Sequence, residues 1–127
     1  PVRVRIFTNS AKSVDEPIVS MPILLSLAEL MSSGVEVYVK NGDTLHAKTA
    51  IFENSMTWVM SYNLHPRSLR YEGETANVMF GSSFAKGATE DFEQDLAGAT
   101  RVETVEALGI PKSKASFVAN TYFRDQL

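Results

Sequence analysis

The 127-residue sequence predicts an α/β fold, a mixed β-sheet with helices packed on it. Three observations carry that reading. A strand-like run, a helical stripe and a second strand-like run follow one another between Val2 and Val39. Two apolar-rich alternating segments then meet at the polar break Glu53-Asn54-Ser55-Met56, the pattern of a β-hairpin. Beyond Gly81, apolar residues recur every fourth position, as on one side of a helix.

Taken in order, Val2, Val4 and Ile6 alternate with Arg3 and Arg5, a strand with one buried face. Thr8 to Glu16 is polar and reads as a loop. Ser20 is placed to cap a helix with Pro22 in its first turn. Leu24, Leu27, Ala28 and Met31 supply the i, i+3, i+4, i+7 stripe, and Gly34 stops it. Val35, Val37 and Val39 form the next strand. Strand, helix, strand implies a crossover between parallel strands. Asn41-Gly42-Asp43 is a turn, the hairpin follows, and Pro66–Tyr71 reads as a short helix or turn. Thr75–Phe80 is a further strand. Phe84, Ala88, Phe92 and Leu96 face the sheet from a helix whose Glu90, Asp91, Glu93 and Asp95 form a solvated acidic face. Val102–Leu108 suggests a short helix ended by Gly109 and Pro111. Phe117, Val118, Tyr122 and Phe123 suggest a last one.

Composition narrows the function. The length fits one domain, residues 1–127, and 44% hydrophobic residues supply a core. A net charge of −3 argues against a dedicated nucleic-acid binder, whose footprint is basic. With no cysteine, thiolate chemistry and disulfides are excluded. No apolar run approaches the roughly 20 residues of a membrane-spanning helix, and no stretch reads as a signal peptide. The start at Pro1, directly before a strand-like run, reads as the edge of an excised or processed piece.

The chemistry concentrates in the hairpin. Residues two apart on a strand share a face, so Thr44, His46, Lys48 and Ala50 align on the first strand and Thr57, Val59, Ser61 and Asn63 on the second. A tight turn centred on Asn54-Ser55 sets Phe52 opposite Thr57, Ala50 opposite Val59, Lys48 opposite Ser61 and His46 opposite Asn63. An imidazole, an ammonium, a hydroxyl and an amide would then gather on one sheet face. Such a set of donors suits an anion, most naturally a phosphate. The bland alternative is a solvated sheet face.

These residues resemble the phospholipase D superfamily signature: His-x-Lys, an acidic residue five positions after the Lys, then Gly-Ser-x-Asn. Here it reads His46-Ala47-Lys48, Glu53, and Met60-Ser61-Tyr62-Asn63, with no insertion. Asn63-Leu64-His65-Pro66-Arg67-Ser68 and Thr8-Asn9-Ser10 are similar to runs of the cardiolipin-synthase-like bacterial subgroup. The resemblance covers roughly residues 2–80. The sequence departs from it in four places. Glu53 replaces Asp, Met60 replaces Gly, His65 replaces the Asp before Pro-Arg-Ser, and Glu72 stands where Asn is common.

The resemblance implies a two-step, metal-free reaction through a phosphohistidine, with no cofactor, in which two copies of the motif face each other. His46 would be one of the paired histidines. Lys48 and Asn63 would hold the phosphoryl oxygens and Ser61 would add a hydrogen bond. Glu74 would fix the tautomer of His46, and Glu53 and Arg67 would be structural support. One motif is present, so the chain reads as a C-terminal piece of a two-motif protein. Its partner would be a second half in the same parent chain or a second subunit. The implied substrate is a phospholipid, met in a bacterial cytoplasm or by peripheral membrane association. The reaction would be phosphodiester hydrolysis or phosphatidyl transfer, as in cardiolipin synthesis. Met60 and His65 favour an alternative, a non-catalytic anion- or membrane-binding scaffold. A nuclease of the same superfamily is a further alternative that the acidic balance disfavours.

Overall fold

The computed structural model describes residues 2–14, 17–63, 68 and 70–110. Their elements run β1 (Arg5–Asn9), α1 (Pro17–Ser32), β2 (Glu36–Lys40), β3 (Thr49–Phe52), β4 (Met56–Met60), β5 (Ala76–Phe80), α2 (Ser82–Ala97), β6 (Thr100–Val102) and a 3₁₀ turn (Val105–Leu108). The fold is α/β, with a mixed sheet of order β1-β2-β6 and an antiparallel sheet of order β3-β4-β5. The described residues divide into two compact units, residues 2–45 with 98–110 and residues 46–97.

In the first unit β1 and β2 run parallel, Arg5 opposite Glu36 through Asn9 opposite Lys40, and β6 lies antiparallel to β2. The strand, helix, strand reading therefore holds. Leu24 and Leu27 of α1 are buried with Val37, Val102 and Leu108, and Ile6, Ala28 and Met31 pack around them. The apolar stripe of α1 and the alternation of β2 thus meet in one core. Val2 is 82% exposed and Val4 45% exposed, against the expectation that both lie in the strand's buried face. The reason is register: Cα pairing with β2 opens at Arg5–Glu36 and its first bond runs from the Glu36 N–H to the Val4 carbonyl at 3.0 Å, so Val2 and Val4 lie at the very start of the sheet. Glu36 is gripped by the Arg3 guanidinium, Nε to Oε1 at 2.5 Å and Nη2 to Oε2 at 2.9 Å. That grip lowers its carboxyl from 4.5 to about 2.

Helix α1 starts three residues before the expected cap, so Pro22 lies inside it. A proline there removes one i→i−4 hydrogen bond. β6 was not expected as a strand, since three residues are too short to show a period. Val105–Leu108 is a 3₁₀ turn, capped by Thr104 and closed by Gly109 at φ 65°, whose N–H donates to the Glu106 carbonyl. The helix expected around Phe117–Phe123 lies outside the described residues.

In the second unit β4 pairs with β3 on one side and β5 on the other. The hairpin register differs by one from the expectation. Phe52 faces Met56, Ile51 faces Thr57, Ala50 faces Trp58 and Thr49 faces Val59. Glu53 and Asn54 both take the positive φ (47° and 53°) that a type I′ turn requires, and the Ser55 N–H donates to the Phe52 carbonyl. Ser55 then stands as one extra residue before the ladder resumes. A one-residue shift changes which side chains share a face, so Lys48 no longer falls opposite Ser61. The Asn54 turn is held from α2 by the Thr89 hydroxyl, 2.7 Å from Asn54 Oδ1.

Helix α2 packs on β3, β4 and β5. Its fully buried residue is Ala85, while Phe84, expected to face the sheet, is 54% exposed. Positions four apart drift about 40° around a 3.6-residue helix, so a line drawn at that spacing does not stay on the buried face. The acidic residues Glu90, Asp91, Glu93 and Asp95 are exposed, as read.

Leu27 is 4% exposed at the centre of the first unit's core. Leu27→Ala is expected to cost about 2–5 kcal/mol, the range for emptying a buried leucine site, measured as a lower denaturation midpoint with an unchanged slope.

Candidate functional site

The candidate residues sit where the antiparallel sheet ends, not within its strands. His46, Ala47 and Lys48 precede β3, and Ser61, Tyr62 and Asn63 follow β4. One bond carries the pairing past the ladder, from the Met60 N–H to the Lys48 carbonyl at 3.0 Å. Lys48 and Ser61 are therefore brought to the same sheet end by the last rung. The facing register expected from the sequence is not what gathers them.

Ser61 is the joint between β4 and β5. Its N–H donates to the Thr75 carbonyl at 2.9 Å, continuing the ladder beyond Met60–Ala76. The return bond does not go to the Ser61 carbonyl. The Thr75 N–H donates to Ser61 Oγ at 3.0 Å, so the hydroxyl takes the place of a backbone acceptor. With its acceptor side used, the hydroxyl donates its one proton in a hydrogen bond to Glu74 Oε2. Ser61 thus fixes the carboxylate of Glu74 as it closes the sheet.

Glu74 carries a lowered pKa. The Ser61 hydroxyl is the main cause, the Ser68 hydroxyl follows, and the Lys48 charge adds to them against a desolvation that works the other way. Those causes place Lys48, Ser61, Ser68 and Glu74 in one electrostatic neighbourhood. Ser68 is buried and donates to Glu72 Oε2 at 2.7 Å, so a second carboxylate joins the group. The Lys48 ammonium donates to the His46 carbonyl at 2.8 Å, which folds its stem back along its own segment.

His46 and Asn63 are exposed at the same sheet end. Glu74 takes the Ser61 hydroxyl in this structure, where the resemblance implies a bond to the His46 ring. Glu53 lies in the hairpin turn, at the other end of β3 from Lys48, and is exposed. Four residues of strand at about 3.3 Å each separate it from the cluster, so any support it gives is to the turn. Arg67 and His65 lie outside the described residues. Ser68 and the contact it makes with Glu72 were not singled out from the sequence. A serine four residues before a glutamate is too common a spacing to mark a contact. Chemically the cluster offers one ammonium, one exposed imidazole, one amide and two carboxylates, of which Glu74 is anchored by Ser61, a set able to hold an anion beside Lys48 and move a proton there.

A depressed carboxyl pKa means that the ionised form is favoured by the fold. That contribution is complete above the ordinary 4.5 and is lost as pH falls through the lowered value. Ser61→Ala removes the first cause. The Glu74 carboxyl is expected to titrate closer to 4.5 in the variant than in the wild type, measured by carbon-detected NMR of the side chain. An unmoved titration would contradict the Ser61–Glu74 bond.

Comparison with known proteins gives the same direction. The family model described as cardiolipin synthase, phospholipase D-like domain, matches residues 1–96. A cardiolipin synthase of Oceanobacillus iheyensis is 27% identical over 88 residues, 69% of this chain and 18% of that protein. A cardiolipin synthase of Clostridium perfringens is 30% identical over 73 residues, 58% of this chain and 15% of that protein. An uncharacterised protein of Helicobacter pylori is 29% identical over 99 residues, 67% of this chain and 20% of that protein. The chain thus spans no more than about a fifth of the length of these relatives. With the matched model reaching across β1 to α2, the chain belongs to the cardiolipin synthase family of phospholipase D-like domains.

Proposed function

We propose that this chain, residues 1–127 as a single phospholipase D-like domain, is one motif half of a phosphatidyltransferase or phospholipid phosphodiesterase. The observation that carries the reading is the cluster of Lys48, Ser61 and Glu74 at the sheet end that also bears His46 and Asn63. The names of the relatives favour a phospholipid substrate and phosphatidyl transfer.

In this proposal a phosphodiester is held by the Lys48 ammonium and the Asn63 amide. A histidine of the second half, in the same parent chain or a second subunit, attacks phosphorus. The bond from phosphorus to the leaving oxygen breaks, and His46 supplies the proton that oxygen needs. His46, now neutral, takes a proton from the incoming water or alcohol, which displaces the phosphohistidine and restores both histidines. Glu74 is the acceptor for the His46 ring. To serve, its carboxylate keeps one oxygen on Ser61 and turns the other toward the imidazole, a division a carboxylate can make with its four lone-pair sites. Ser61 then acts through Glu74 more than on the phosphoryl group. Glu53 and Arg67 are support, and no metal or cofactor takes part. Peripheral contact with a membrane surface follows from the substrate class.

A second reading, a non-catalytic anion- or membrane-binding scaffold, is favoured by Met60. Its half-buried side chain occupies the place of a glycine next to Ser61.

The test is turnover of phosphatidylglycerol and of a chromogenic phosphodiester by the protein with its second half present. Wild type is compared with His46→Ala, with and without a chelator. Activity that survives chelation and falls at least about 10³-fold in the variant is expected, the scale for loss of an essential acid/base and its covalent step. Preference for the lipid over the chromogenic ester separates the lipid enzyme from a nuclease. Activity indifferent to His46→Ala would hand the site to the scaffold reading.

A further inference from the structure

Asn9 ends β1 and makes a paired contact that the catalytic motif does not include. The Leu45 N–H donates to Asn9 Oδ1 at 2.7 Å, and Asn9 Nδ2 donates to the Leu45 carbonyl at 2.8 Å. A side-chain amide sets an N–H donor beside a carbonyl acceptor in one plane, as a peptide does, so Asn9 pairs with Leu45 as a neighbouring strand would. Its own position is fixed too. The buried Ser13 hydroxyl lies 3.3 Å from Asn9 Oδ1 as a donor, and the Ser10 N–H donates to Ser13 Oγ at 2.8 Å. The neighbouring Thr44 hydroxyl donates to the Ser13 carbonyl at 2.7 Å. All of these residues belong to the first unit.

The consequence reaches His46 through covalent geometry alone. The carbonyl that Asn9 holds belongs to the Leu45–His46 peptide. Six atoms of that peptide, from the Leu45 Cα to the His46 Cα, lie in one plane. Holding its oxygen and the N–H one residue back leaves the His46 Cα little freedom. His46 precedes β3 and has no place in the β3–β4 ladder, so the ladder does not do this work.

We propose that Asn9 is the positioning residue of His46, and that its amide sets the peptide from which the imidazole projects. The part of this inference that concerns turnover rests on the function proposed above. The identity of the side chain matters. Aspartate keeps the acceptor for the Leu45 N–H but has no donor and sets a charge against the Leu45 carbonyl. Serine is too short to make both bonds.

Two measurements on the chain test it without any activity. In the wild type, NMR should detect a coupling across the hydrogen bond between Asn9 Nδ2 and the Leu45 carbonyl carbon. In Asn9→Asp, the His46 backbone amide and ring signals should shift, while the indole signal of Trp58 stays in place. If Asn9→Asp does not fold, Asn9→Ser carries the same readout. Absence of the coupling, or His46 signals that superimpose on the wild type in the folded variant, would overturn the proposal. In the turnover assay Asn9→Asp should lower kcat about 10–100-fold with KM within about twofold, the signature of a displaced reacting group rather than a lost binding contact. If His46→Ala leaves turnover unchanged, the enzymatic reading fails while the NMR result still decides the role of Asn9.

Discussion

A single serine hydroxyl carries two duties on which the site depends. Ser61 Oγ accepts the Thr75 N–H in place of a backbone carbonyl and donates a hydrogen bond to the Glu74 carboxylate. The first bond lets β4 and β5 part company without leaving a donor bare. The second turns that parting point into a place where a carboxylate is held at a fixed position and kept ionised. The buried Ser68 hydroxyl and the Lys48 charge favour the same ionised carboxylate. Sheet closure and site assembly are therefore one event in the second unit.

The balance of charge in this cluster separates it from a simple phosphate cradle. One ammonium, Lys48, meets two carboxylates, Glu72 and Glu74. An anion approaching such a group would gain from Lys48 and lose to the carboxylates. Glu72, where the family resemblance expects asparagine, adds a negative charge to this cluster. Met60 alters shape but no charge.

Much of this was legible in the sequence. The alternation of β2, the stripe of Leu24 and Leu27, the parallel strand pair and the existence of the hairpin all follow from periods of two and 3.6. What failed did so for particular reasons. The hairpin register hung on a turn length, and a two-residue turn with an extra Ser55 reads much like a tight turn centred one residue on. Val2 and Val4 alternate correctly but lie before the first paired residue, Arg5, a fact that belongs to register and not to pattern. Phe84 lies on a four-residue line that drifts off the buried face, and Ala85, too small to draw notice, takes its place. Of the candidate residues, His46, Lys48, Ser61 and Asn63 come from strand spacing and Glu74 from the family resemblance, and all five lie at one sheet end. Their mutual contacts were not legible. Whether Glu74 accepts from a ring or from a hydroxyl depends on a few ångströms, and the spacing of 13 residues between Ser61 and Glu74 carries no such information.

The central claim is that this sheet end is built to hold a phosphoryl group. The most direct measurement is a titration of the chain with inorganic phosphate, followed by the backbone amides of 46–48 and 61–63, in wild type and in Lys48→Ala. The account predicts that these two segments shift together and saturate together in the wild type, and that Lys48→Ala removes the response. Shifts scattered over the surface, or a response indifferent to Lys48→Ala, would contradict it.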